Sequence, residues 1–341
     1  MNSFTNNISI NFLDWGKSNA LLLILLFLCV AVGINFPNFF TASNWSLILQ
    51  SSVLAGVMAI GLSFVMISGG FDLSFAATML FTGSVAARLM MGDNPNPYFA
   101  ALAAPMVGAI IGIINGSIVV LSGVSPLIGT IANSFIIRAI GVLYVMETWM
   151  EIPVEYTSFL FIGQGSIYGL PFSVYIFIFI IILSYIILNH SKYGKALYAS
   201  GANPKAAHVA GIHVKRTQII AYGICGFCAG VSGVINVSSV GGLSAVFNVS
   251  YLYDVITIAV VGGVSFFGGV GSIYGIVLGI LVIGVLKNAM IIMNMPHYTQ
   301  NAVGGLFLIF AKLLLVSATC VACKGRSSIS YNLFMPKFFL R

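Results

Sequence analysis

Of the seven acidic residues in this 341-residue chain, only Asp72 and Asp254 fall at or within hydrophobic runs. An ionisable group at membrane depth points to function by default, because charge is costly there. Asp72 follows Gly69-Gly70 and precedes Leu73-Ser74. Its carboxylate could cap the first turn of a following helix or touch a transported solute, and the capping role is favoured. Asp254, near the end of its run, could cap a helix, pair with Arg138 or contact cargo. Lys287 lies inside a run beside Asn288, whereas Arg88 near a boundary reads as a side chain reaching for the interface. Asn115, Asn133, Asn236, Asn288 and Asn301 place amides at membrane depth. Each could bond across helices; as a set, beside so few acids, they suit a neutral, hydroxyl-rich solute and speak against proton-driven transport.

Other chemistries are poorly served. Cys225 with Cys228, and Cys320 with Cys323, form two C-x-x-C pairs that could give zinc four thiolates. Both pairs lie in apolar, helix-like sequence without polar groups to support such a site, so they read as small packing residues. There is no H-E-x-x-H and no G-x-S-x-G, which argues against an intramembrane enzyme. Nor is there a G-x-x-x-x-G-K-[ST] to cradle nucleotide phosphates, and no bound metal or cofactor is expected.

The elements that must carry these residues follow from composition. Charged residues make up 6% of the chain, against roughly 25% in soluble domains, and mean hydropathy is +1.06. A spanning helix needs about 20 apolar residues. The runs 20–36, 45–67, 73–91, 99–121, 126–146, 171–188, 218–240, 251–267, 273–293 and 301–321 predict an all-α, polytopic transmembrane helix bundle of about ten spans. The first run lacks a clear small-residue cleavage site and is read as a span, not a signal peptide. Residues 1–18 form a polar N-terminal segment, 19–321 the membrane domain and 322–341 a C-terminal tail. Gly108, Gly112 and Gly116, like Gly226 with Gly230 and Gly275 with Gly279, recur every four residues and line single helix faces. Such faces let backbones approach closely in lipid, and they could also serve as hinges.

Charge distribution orients the bundle. The net charge is +7, and no Asp or Glu occurs between Glu155 and Asp254, a stretch that contains Lys192, Lys195, Lys205, Lys215 and Arg216. Short basic loops stay cytoplasmic, so residues 190–216 are placed inside. An even number of spans then puts both termini inside too, with Lys324, Arg326, Lys337 and Arg341. Asp93 and Glu147, Glu151 and Glu155 fall outside. The basic cluster is small and has no interleaved aromatics suited to nucleic acid.

Within that loop, Asn203 and Pro204 read as an N-cap followed by proline at the first helical position, starting a short helix. Ala206, Ala207, Ala210 and Gly211 give it a small-residue face, suited either to solvent or to a cleft in another protein. Ala206-Ala207, three residues, then Gly211 resembles the EAA-type coupling loop of binding-protein-dependent ABC importer permeases. Lys205 stands where that family often has Glu, which keeps the docking surface but leaves no acid there for a salt bridge. The pattern Gly194, Ala199, Gly201, Asn203, Ala206-Ala207, Gly211-Ile212 is similar to the branch importing ribose, xylose, galactose, arabinose and autoinducer-2. Ser68–Ser74, SGGFDLS, resembles that branch's S-G-G-I-D-L-S, and Gly112–Gly116 its G-x-I-N-G. Tyr253–Gly269 resembles D-A-I-A-A-V-V-x-G-G-x-S-x-x-G-G, and Pro126–Arg138, with Thr130 and Gly141, a further segment. The likeness covers about residues 45–310; Cys320–Arg341 has no counterpart in it and reads as an altered frame or a dispensable tail.

The resemblance implies a bacterial inner-membrane permease for a small neutral solute, most simply a monosaccharide. It implies a separate ABC ATPase subunit that hydrolyses ATP, a periplasmic or lipid-anchored sugar-binding protein, a second permease subunit and surrounding membrane lipid. Asn203, Pro204, Lys205, Ala206, Ala207 and Gly211 would form the ATPase-coupling contact. A permease for branched-chain amino acids or nucleosides, and an ion-coupled secondary transporter, are the alternatives.

Overall fold

A computed structural model describes residues 20–306 except 93, 146–148, 244–249, 297–298 and 301. The chain folds as α1 Ala20–Asn35, a 3-10 turn Pro37–Phe40, α2 Ala42–Ile67, α3 Phe75–Met90, α4 Pro97–Ser122 and α5 Pro126–Val145. There follow β1 Met150–Glu151, α6 Thr157–Gln164, β2 Ser166–Ile167, β3 Leu170–Pro171, α7 Phe172–His190, α8 Lys192–Ala202 and α9 Pro204–Val209. The last elements are α10 Val214–Val240, β4 Gly242–Leu243, α11 Ser250–Val261 and α12 Ile273–Ile292. Residues 1–18, 322–341 and most of the run 301–321 lie outside the described residues, as do Asp93, Glu147, Asn301, Cys320 and Cys323.

Local chemistry sets the boundaries. Thr41 accepts from Asn44 N at 3.3 Å to start α2, and Asn96 accepts from Tyr98 N and Phe99 N with Pro97 at the first turn of α4. Ser191 and Ser272 cap α8 and α12 in the same way, while Gly123 and Gly241 close α4 and α10 in the left-handed conformation.

Six of these helices are long and apolar enough to cross a membrane. Three apolar helices are shorter: α1, α3 and α11. The run 251–267, expected to form a single span, stops being helical at Val261, because Gly262 and Gly263 turn the chain out. Twelve helical residues rise only about 18 Å, less than the hydrocarbon thickness. The acidic segment between α5 and α7 is more structured than expected from hydropathy: it holds α6, the antiparallel pair β2 with β3, and β1, which pairs with β4 at the end of α10. The basic segment likewise holds a second helix, α8, ahead of the expected α9.

The core is built on α10, which packs on α4, α2 and α3. At the α4–α10 crossing the glycine faces meet backbone to backbone. A Cβ added to Gly226 would lie 2.0 Å from Gly108 O, and one on Gly112 would lie 2.1 Å from Tyr222 O. Those glycines therefore serve close packing, which replaces the hydrophobic drive between helices in lipid. In contrast, α5 buries only a narrow stripe, with Ile128, Ile131, Phe135, Ile136 and Leu143 exposed.

The loops sort to two ends. Gln50 Nε2 donates to Gly163 O, Ser46 Oγ to Gly169 O and Ile152 N to Gly241 O, gathering the Glu151–Glu155 region at one end. At the other, Gly269 N donates to Ile67 O beside Gly201, so the segments 68–74, 191–213 and 262–272 lie together. The acidic and basic loops thus occupy opposite ends of the bundle.

Candidate functional site

The basic end exposes a helix of six residues. Asn203 accepts from Ala206 N at 3.1 Å and Pro204 begins the turn, which makes so short a helix possible. Pro204, Lys205, Ala206 and Ala210 are exposed, Ala207 is buried as the anchor, and Val209 is 88% exposed at the tip. Gly211 takes φ +83° with nothing near its Cβ position, so the chain leaves the helix without adding bulk. Exposed Lys192, Lys195, Lys215 and Arg216 surround this small-residue surface with positive charge.

Beneath it, α8 is tied to the bundle. Tyr193 Oη donates to Thr217 O at 3.1 Å, and Tyr198 Oη to Gly271 O at 2.8 Å. Burial pushes both phenols up, so they remain protonated donors. Ser200 Oγ, fully buried alongside, has no hydrogen-bond partner among the described residues.

The second feature is a buried chain of polar side chains. Asp72, 1% exposed, accepts from Ser74 N at 2.8 Å and from Ser74 Oγ at 2.6 Å. The carboxylate thus braces Ser74, the residue preceding α3, and does not bond the amides of the first turn itself. Asn115 Nδ2 donates to Ser74 Oγ, and Asn133 Nδ2 donates to Asn115 Oδ1 at 2.7 Å. Leu73 N donates to Thr130 Oγ1, Gln218 Nε2 to Ser68 O and Tyr222 Oη to Phe71 O. Three helices, α4, α5 and α10, therefore converge on one seven-residue segment that leads into α3. Apart from the Asp72 carboxylate and the Cys225 thiol that hydrogen-bonds it, the groups are amides and hydroxyls, which can exchange hydrogen bonds with a neutral solute but offer no charged relay.

The remaining candidates are elsewhere. Asp254 forms an ion pair with Lys287, so the partner that the structure gives it is the lysine on α12. Asn288 and Asn44 exchange reciprocal amide hydrogen bonds at 2.9 and 3.2 Å. Asn236, half-buried on α10, makes no side-chain hydrogen bond among the described residues. Cys225 and Cys228 pack against Gly61, whose added Cβ would sit 2.8 Å from Cys228 Cβ. A cavity of about 540 Å³ opens at the acidic end among Pro97, Tyr98, Thr157, Ser158, Phe161 and Phe172. None of the polar residues singled out from the sequence lines it. Sequence reasoning missed Tyr198, Gln218, Tyr222 and Asn44. Only Tyr198 carried a visible signal, as a bulky aromatic in a segment of small and basic residues.

The glycine-backed crossing, the SGGFDLS segment and the exposed α9 all lie within residues 44–312, which match the family described as branched-chain amino acid transport system / permease component. The chain belongs to this permease family. It is 32% identical to the ribose import permease protein RbsC of Escherichia coli strain K12 over 302 residues, 88% of this chain and 94% of that one. It is 31% identical to the L-arabinose transport system permease protein AraH of the same strain, covering 85% of this chain and 88% of that one. The galactose/methyl galactoside import permease protein MglC of Salmonella typhimurium is 29% identical, over 89% of this chain and 95% of its own. No solved structure matches the chain. This permease-family chain is a multi-pass membrane protein and a transport subunit rather than an enzyme.

Proposed function

We propose that this chain is the membrane-spanning permease of an ATP-driven, binding-protein-dependent importer in the bacterial inner membrane, and that its solute is a monosaccharide. The observation that carries the reading is the exposed, cation-rimmed α9 at the basic end. Asn203 and Pro204 initiate it, Ala206 and Gly211 keep its surface small, and Ala207 anchors it. It seats in a cleft of a separate ATPase, whose closure on ATP moves the bundle and alternates access to the solute. Lys205 adds positive charge to that contact. A second permease copy or homologue, two ATPase subunits and a periplasmic or lipid-anchored sugar-binding protein complete the assembly, with lipid around α5. Ten spans with both termini on the basic, cytoplasmic side fit the charge separation. The relatives compared over most of their length are named for ribose, arabinose and galactose, which favours sugar over the amino acids of the broader family description. The amide and hydroxyl groups around Asp72, Asn115 and Asn133 suit such a solute.

Replacing Gly211 with Trp tests the docking. The position is open, so the ring projects outward, while the left-handed backbone adds about 1 kcal/mol of local strain. The variant is expected to insert normally, lose its ATPase on co-purification and lose ATP-dependent uptake in vesicles. Normal uptake would overturn the docking assignment, and uptake driven by a proton gradient without ATP would overturn the importer reading.

A further inference from the structure

We propose that Gly201 and Tyr198 are positioning residues that pass movement of α8 and α9 to the segment carrying Asp72. The proposal rests on the reading above, that α9 docks on an ATPase. Three backbone segments meet at Gly201 with no side chain between them. A Cβ there would lie 1.9 Å from Ile67 O, at the end of α2, and 2.5 Å from Gly269 N. Gly269 N itself donates to Ile67 O at 2.8 Å, and a Cβ on Gly268 would lie 2.8 Å from both Gly201 O and Gly69 Cα. Close-packed backbone transmits displacement because it has no rotamer to absorb it. From the other side, the Tyr198 hydroxyl holds Gly271 O, so α8 grips the 262–272 loop at two points. That loop in turn meets the 68–74 segment through the Phe71 and Phe266 rings, 5.7 Å apart.

The path ends at the polar chain. Asp72 lies within the gripped segment and is linked through Ser74 to Asn115 and Asn133 on two further helices. The buried Ser200 hydroxyl, without a hydrogen-bond partner among the described residues, costs free energy in this arrangement. A second arrangement that satisfied it would be favoured correspondingly, as a two-position latch requires.

The test uses the assembled complex, permease with ATPase and binding protein, in proteoliposomes, and reads solute moved per ATP hydrolysed. Tyr198→Phe keeps the ring and removes one hydrogen bond. It should leave ATPase co-purification and ATP hydrolysis unchanged while lowering solute per ATP by about five-fold, the effect of one such bond. Gly201→Ala should act in the same direction and more strongly; if it fails to assemble, Tyr198→Phe carries the test. An unchanged ratio in Tyr198→Phe, or equal losses of hydrolysis and uptake, would overturn the latch. Failure of the docking reading is distinguishable, since Gly211→Trp would then keep both its ATPase and its ATP-dependent uptake.

Discussion

Asn115 holds the middle of the polar chain, donating to Ser74 Oγ on one side and accepting from Asn133 on the other. Removing it breaks both of these bonds, whereas removing Asn133 breaks one, at the less buried end of the chain. Two bonds lost against one make the first loss the larger, with roughly 0.6 kcal/mol usual for each bond between helices in lipid. Asn115→Ala should therefore lower the melting temperature in nanodiscs clearly more than Asn133→Ala; equal effects would mean that the chain is not a connected unit. The Asp254–Lys287 pair is a different kind of contact: two partly exposed charges that neutralise each other near the acidic end, where an isolated lysine in an apolar helix would be costly.

At the scale of elements, the α4–α10 crossing sets the tolerance of the bundle. The obstacle at Gly226 is the carbonyl of Gly108, which cannot rotate away as a side chain would. Gly226→Val is expected to prevent assembly, seen as loss of a monodisperse peak in size-exclusion chromatography. Ala132→Val, on the exposed face of α5, adds the same kind of bulk without consequence. A monodisperse Gly226→Val protein would show that the helices can separate. The short α9 illustrates the opposite case, in which a cap and a proline make a single turn and a half stable enough to present a surface.

At the scale of the whole molecule, charge separates by end, with Glu151 and Glu155 opposite the lysines of α8 to α10. The positive-inside bias predicts a definite sidedness. Tyr168, fully exposed, and Val209 provide reporters at the two ends. In a background with the native cysteines replaced, Tyr168→Cys should react with a membrane-impermeant maleimide on intact cells. Val209→Cys should react only after the membrane is opened. The reverse pattern would invert the topology and remove α9 from reach of any cytoplasmic partner.

Much of this architecture is written locally. Apolar length marks the helices, Asn203 and Pro204 mark the start of α9, and the basic stretch marks one end, because each depends on residues near one another in the chain. The end of α11 at Val261 escaped hydropathy, which does not register the turn at Gly262-Gly263. Pairings escaped it for a deeper reason. A helix apolar on every side carries no periodicity to reveal which face meets a neighbour, since lipid is as apolar as a core. Hence Asp254 finding Lys287, Asp72 reaching Asn133 through Ser74 and Asn115, and Gly201 closing on Ile67 were decided by helix rotation and crossing in the tertiary structure. The sequence determined which residues would be polar at depth and where the short, small-faced helix would start; the fold determined which of the polar residues touch.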